Sequence, residues 1–155
     1  MLLIRQANGA ERRALEDLQR RASLSNPGDR EALLEHPDAI DVPIEQIAAG
    51  YVFVAELDGA IVGFAAVVPR EDGGSELDAL FVEPHVWKRG IGRALVEHGA
   101  RKACAAGARF LHVIGNPHAK GFYLACGFSV TGTIETRFGL GLAMQRVLEP
   151  DSLRT

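Results

Sequence analysis

Several things are scarce in this chain of 155 residues, and each scarcity removes a class of protein. Only two cysteines occur, Cys104 and Cys126, with no CxxC pair, so neither a disulfide framework nor a cysteine metal site is expected. The apolar run Ile61 to Val68, eight residues long, is too short to span a bilayer. The start, Met1-Leu2-Leu3-Ile4-Arg5, has no basic leader followed by an apolar stretch, so a cytoplasmic location is expected. Basic residues do not exceed acidic ones, 17 against 20, which argues against a nucleic-acid partner. His36, His98 and His112 have no HExxH-like spacing, so no metal is expected. There is no GxxxxGK[ST], and no repeat, low-complexity tract or linker.

What is present is ordinary globular material: 47% apolar and 24% charged residues, sufficient for a sizeable core. The charge is unevenly placed. Residues 1–70 carry 7 Lys/Arg against 11 Asp/Glu, whereas residues 83–109 carry 6 against 2. A basic, glycine-bearing segment in an acidic chain points to a small anionic ligand.

Periodicity predicts a strand at Leu2–Gln6, a helix at Gly9–Arg21 and a turn at Asn26–Asp29 followed by a short helix at Arg30–Glu35. A helical turn or two follows over Val42–Ala49, opened by Pro43. Tyr51–Leu57 and Ala60–Val68 form a hairpin about Asp58-Gly59, and Glu76–Val82 is the next strand. The pattern then alternates. A helix spans Gly92–Ala106, its small-residue stripe of Leu95, Val96, Gly99, Ala103 and Ala106 facing a sheet. Phe110–Ile114 is a strand, Asn116-Pro117 caps a helix to Cys126, and Val130–Arg137 with Leu140–Leu148 close the chain. The expectation is one α/β domain over residues 1–155 with a mixed sheet.

The chemistry concentrates in Glu76–Leu95, ELDALFVEPHVWKRGIGRAL. A strand ends at Val82, Lys88 and Arg89 follow, and Gly90-Ile91-Gly92 opens a helix bearing Arg93. Glycines admit a ligand to the backbone, and the free amides of a helix N-terminus suit phosphate oxygens. Seven residues lie between strand end and Gly90, and Leu95 stands where a dinucleotide fingerprint wants glycine, so a Rossmann site is not expected.

Val82-Glu83-Pro84 followed by Lys88-Arg89-Gly90-Ile91-Gly92-Arg93-Ala94-Leu95 resembles the acyl-CoA signature of the GCN5-related N-acetyltransferase (GNAT) superfamily. Asn116-Pro117-His118-Ala119 with Phe122-Tyr123 through Gly127-Phe128 resembles its second motif. The resemblance covers about residues 76–128 and implies a mostly antiparallel mixed sheet, splayed in its middle between the strands ending near Val82 and Ile114 and flanked by helices. It implies acetyl-CoA as the acyl donor, with pantetheine in the splay, paired with main-chain groups of Leu80 and Val82. The Val82 N–H would polarise the thioester carbonyl. Lys88, Arg89, Gly90, Ile91, Gly92 and Arg93 would hold the diphosphate, and Asn116, Ala119, Phe122 and Tyr123 the far side. Trp87 departs from the pattern, standing where the family usually has Gln or Arg. Because that loop binds chiefly through amides, the departure is expected to change shape or affinity more than to abolish binding.

Transfer to an amine needs the amine neutral, and a nearby carboxylate can take its proton. Glu76 matches the base of the family's histone-acetylating branch; Asp78, of equal side-chain parity, is the alternative, and both carboxylates facing solvent is a third. Tyr123 would protonate the departing thiolate or simply pack. The resemblance thus implies direct acetyl transfer to a small-molecule amine or peptide N-terminus, with a non-catalytic acyl-CoA-binding regulator as the rival. Glu31, Glu35, Asp38, Asp41 and Glu45 favour a cationic acceptor. His85 and His118 are read as surface groups, Cys104 and Cys126 as core, and the run Phe138–Met144 as an interface for a homodimer.

Overall fold

The computed structural model describes residues 1–150. One seven-stranded sheet runs through them in the order β1-β2-β3-β4-β5-β7-β6. The strands are β1 (Leu2–Gln6), β2 (Val52–Leu57), β3 (Ala60–Pro69), β4 (Ser75–Val82), β5 (Phe110–Gly115), β6 (Ser129–Thr136) and β7 (Gly139–Val147). The helices are α1 (Arg12–Ser25), α2 (Pro27–Glu35), α3 (Ile44–Ala48), α4 (Ile91–Ala105) and α5 (Lys120–Ala125). All strand pairings are antiparallel except β4 with β5. That parallel pairing is two residues long, Ser75 opposite Leu111 and Glu76 opposite His112; beyond it the strands part. The sheet is therefore mixed and splayed in its middle, as expected.

The hairpin at Asp58-Gly59 forms because both residues take positive φ (51° and 87°), the twist that matches flanking strands. Each face of the sheet has its own core. On one side α1 lays Leu15 and Leu18, three apart, with Ile47 of α3 against Val52, Val54, Phe64 and Ala66. On the other, α4 lays Leu95, Val96, Ala100 and Ala103 against Phe53, Val67, Leu77 and Leu111. Truncating a fully buried leucine such as Leu95 costs about 2–5 kcal/mol.

Several expectations need correction. Asn26 is an N-cap that accepts from the Gly28 N–H, so α2 starts at Pro27 rather than Arg30. The helix expected after Asn116 is a 3-10 turn, Pro117–Ala119, joined to α5. Ala106 lies exposed past the end of α4, and Ala100 takes its place in the stripe. Within Phe138–Met144, Phe138 and Leu140 are exposed but Met144 is core. Cys126 is buried and Cys104 half-buried. β4 has a bulge at Asp78: Ala66 faces Ala79 and Val67 faces Leu77, leaving Asp78 unpaired in the register. Among the described residues no helix is long and apolar enough to cross a membrane.

Candidate active site

Where β4 and β5 part, a cleft of about 640 Å³ opens. Its β4 lip offers an unusual strand edge. The Glu83 N–H donates to the Val62 carbonyl at 2.8 Å. By antiparallel alternation, Phe81 and Ala79 then bond to β3, while Leu80 and Val82 turn their amides toward the gap where β5 has diverged. The Val82 carbonyl already accepts the Trp87 indole N–H at 2.7 Å, so the protein itself supplies one partner here. This is what the unexpected tryptophan does: its ring lines the cleft and its N–H occupies the strand edge.

The mouth is built on the start of α4. Gly90 is the N-cap with φ +81°, Lys88 has φ +67°, and left-handed residues in close succession form anion-binding concavities. A Cβ on Gly90 would meet nothing within 4 Å, so this backbone faces open space. No side chain caps the helix and its first turn has no acid. Instead Lys88, Arg89 and Arg93 crowd its positive end, and none has a salt-bridge partner among the described residues. Cations at a helix N-terminus are unfavourable unless an anion joins them. The set fits a diphosphate.

Among the residues expected to bind a cofactor, Leu80, Val82, Lys88, Gly90, Ile91, Gly92, Arg93, Ala119 and Phe122 line this cleft, and so does Tyr123. Arg89 does not line it, nor does Asn116. The Asn116 amide is spent within the fold: Nδ2 donates to Asp29 Oδ1 at 3.0 Å, and Oδ1 accepts the His118 N–H at 2.9 Å. Tyr123 is 8% exposed, and no hydrogen bond to its hydroxyl occurs among the described residues. Burial chiefly, then Cys126 and Asp29, push its phenol well above the usual range, so it holds its proton at neutral pH.

The carboxylates read as bases lie elsewhere. Neither Glu76 nor Asp78 lines the cleft. Glu76 Oε2 receives Arg70 Nη1 at 2.8 Å, in a cluster where Arg70 also binds Asp72 at 3.1 Å. Asp78 receives Gln46 Nε2 at 3.1 Å. Of the five acids read as favouring a cation, Asp41 pairs with Arg12 and Asp38 with Arg137.

Sequence reasoning missed the contribution of the α1–α2 corner. Ala22, Asn26 and Asp29 line the cleft, held over it from both sides. Arg21 forms a two-pronged pair with Glu83 past the end of β4, at 2.9 and 2.7 Å, and Asp29 takes the Asn116 amide beyond β5. The signal was present, since Asn26-Pro27 repeats the cap-and-proline pattern of Asn116-Pro117.

Comparison with known proteins follows the same lines. The model of the acetyltransferase (GNAT) family matches residues 13–128. The peptidyl-lysine N-acetyltransferase YjaB of Salmonella typhimurium is 44% identical over 62 residues, 40% of this chain and 41% of that protein. Its counterpart from Escherichia coli K12 is 42% identical over the same shares. The match thus spans about two-fifths of these curated relatives. Among solved structures, the PaiA N-acetyltransferase of Thermoplasma acidophilum in complex with coenzyme A superposes with a TM-score of 0.76 at 16% identity, covering 95% of this chain and 99% of that one. The acetyltransferase yncA of Salmonella typhimurium with acetyl-CoA gives 0.71 at 23% identity over 96% and 95%. At such identities the likeness is one of fold.

Proposed function

The chain belongs to the acetyltransferase (GNAT) family, and from that premise we propose that it moves acetyl from acetyl-CoA to an amine by direct attack in a ternary complex. The observation that carries this reading is the convergence, at one cleft, of a helix start without a side-chain cap, cations with no ion pair among the described residues and a strand edge without a strand. Acetyl-CoA supplies the acetyl thioester, whose C–S bond breaks as the acceptor nitrogen forms its C–N bond.

In this reading Lys88, Arg89, Arg93 and the amides of Gly90, Ile91 and Gly92 hold the diphosphate. Main-chain groups of Leu80 and Val82 hold the pantetheine arm, and the Val82 N–H is aimed at the thioester carbonyl. Ala119 and Phe122 close the far wall, and Asn116 supports it through Asp29. Tyr123, which lines the cleft with its phenol protonated, gives its proton to the departing sulfur. Glu76 is the base named from the sequence, acting through water, since its carboxylate lies outside the cleft and carries Arg70.

The acceptor in this proposal is a small-molecule amine or a peptide amine, and the YjaB relatives, named as peptidyl-lysine acetyltransferases, add lysine in a peptide. Two unpaired thiols agree with a cytoplasmic location, and exposed Phe138 and Leu140 are the remaining contact points for a homodimer. A second reading, a non-catalytic acyl-CoA-binding regulator, is favoured by the occupied state of Glu76. Thiol release from acetyl-CoA, measured over a panel of amines, amino acids and peptides, separates the two. The enzyme reading expects turnover that falls in Tyr123→Phe while acetyl-CoA affinity holds. Binding with no turnover on any amine supports the regulator.

A further inference from the structure

Asp29 is the single carboxylate among the described residues that line the cleft. It stands in the first turn of α2, placed there by the Asn26 cap and Pro27. One oxygen accepts the Asn116 amide, and no protein donor reaches the other among the described residues. The position is enforced: a Cβ at Gly28 would clash with the Asn116 side-chain amide, so the first turn of α2 presses directly on the residue following β5. From α5, Tyr123 lines the same cleft. The sulfur that Tyr123 is to protonate and the nitrogen that displaces it therefore meet in a cleft whose one carboxylate, among the described residues, is that of Asp29.

We infer that Asp29 is a catalytic residue of the transfer proposed above, its free oxygen taking a proton from the acceptor's ammonium group. The inference rests on that reading. Protons and electrons balance as follows. The ammonium gives one proton to Asp29, and the freed lone pair forms the C–N bond while the C–S pair leaves on sulfur. The second surplus proton on nitrogen goes to water, the route by which Glu76 acts; sulfur takes the Tyr123 proton, and water restores the phenol. Asp29 returns its own proton to solvent, and one net proton is released per turnover. Asn116 bonds Asp29 directly, and the titratable groups that share the cleft lining with it are His118 beyond β5, Tyr123 of α5, Cys126 just past α5, and Lys88 and Arg93 at the mouth. Arg21 of α1 is committed to Glu83, and Arg30 of α2 to the Leu24 carbonyl. With a diphosphate on Lys88 and Arg93, Asp29 is left as the charge that selects a cationic acceptor.

Asp29→Asn is the test, because an amide oxygen still accepts from Asn116 while charge and basicity are gone. The thermal shift with acetyl-CoA should be unchanged. At saturating alkylamine the rate should fall by the about 10²–10⁴-fold of lost general-base catalysis, and by more than in Glu76→Gln. Its rising limb should move to higher pH, toward the pKa of the free amine. With hydroxylamine, neutral at pH 7, the deficit should shrink at least about tenfold, as removal of a base predicts. A deficit equal for both acceptors, an unmoved limb, or a rate no lower than that of Glu76→Gln overturns the assignment while leaving the enzyme reading intact. Wild-type protein that binds acetyl-CoA and acetylates nothing overturns both.

Discussion

The two ends of strand β4 treat charge in opposite ways. Before the strand and at its start, Arg70, Asp72 and Glu76 satisfy one another, with Arg70 bridging two carboxylates and Asp72 also accepting the Gly74 N–H at 2.9 Å. Past its far end, Lys88, Arg89 and Arg93 have no ion pair among the described residues, and no side chain caps the helix they surround. Both clusters are polar, and both sit at an end of β4. The first is complete as it stands, whereas the second is complete only with an anion. Partnerless groups of like sign, rather than charged groups in general, mark the binding end.

If that contrast is right, the ends should respond differently to perturbation. The largest effect belongs to the incomplete end. Saturating acetyl-CoA should stabilise the wild-type protein by about 2.7 kcal/mol at a hundredfold excess over its dissociation constant. Gly90→Glu should abolish that thermal shift and leave a folded protein. The added Cβ meets no atom within 4 Å, and the positive φ costs about 1–2 kcal/mol. A retained shift would mean that the cofactor lies elsewhere. At the complete end, Arg70→Met should lower stability in urea by about 1 kcal/mol or less, as expected for a pair this exposed, and leave the acetyl-CoA shift alone. Loss of the shift in that variant would show that the two ends are coupled.

The smallest effect concerns acid. The Gly74 N–H, and then Arg70, hold the Asp72 carboxyl below its ordinary 3.8. A depressed acid stabilises the fold above its unfolded pKa, and the contribution disappears as pH falls through the folded one. Urea midpoints of wild type and Asp72→Asn should therefore differ slightly at pH 6 and converge well below pH 3.8. Curves that stay parallel into acid would show that Asp72 contributes through shape instead of charge.

The binding end was legible because its signals are local: Gly90-Ile91-Gly92, its cations and the strand before it all fall within one short stretch. The hairpin at Asp58-Gly59 was legible for the same reason. Three features were not. The bulge at Asp78 shifts the register of β4 against β3 and depends on the pairing partner, which no window of β4 contains. The capture of Glu76 by Arg70 depends on how the loop between β3 and β4 folds back. Asp29 reaches the cleft only because α1 returns across the sheet and α2 meets Asn116, 87 residues away. There the local clue, Asn26-Pro27, reads as part of a turn, although the same dipeptide at Asn116-Pro117 reads as a cap.

The two-residue junction between β4 and β5 also bears on how the molecule comes apart. Strands β1 to β4 form one block and β5 to β7 another, and two register pairs are too few to make the sheet a single cooperative unit. Helix α4 supplies what the junction lacks, since Leu95, Val96, Ala100 and Ala103 share one core with Phe53 and Val67 of the first block and Leu111, Val113 and Met144 of the second. All-or-none unfolding therefore depends on packing beneath the sheet more than on hydrogen bonds across it. Loosening that helix should convert one transition into two.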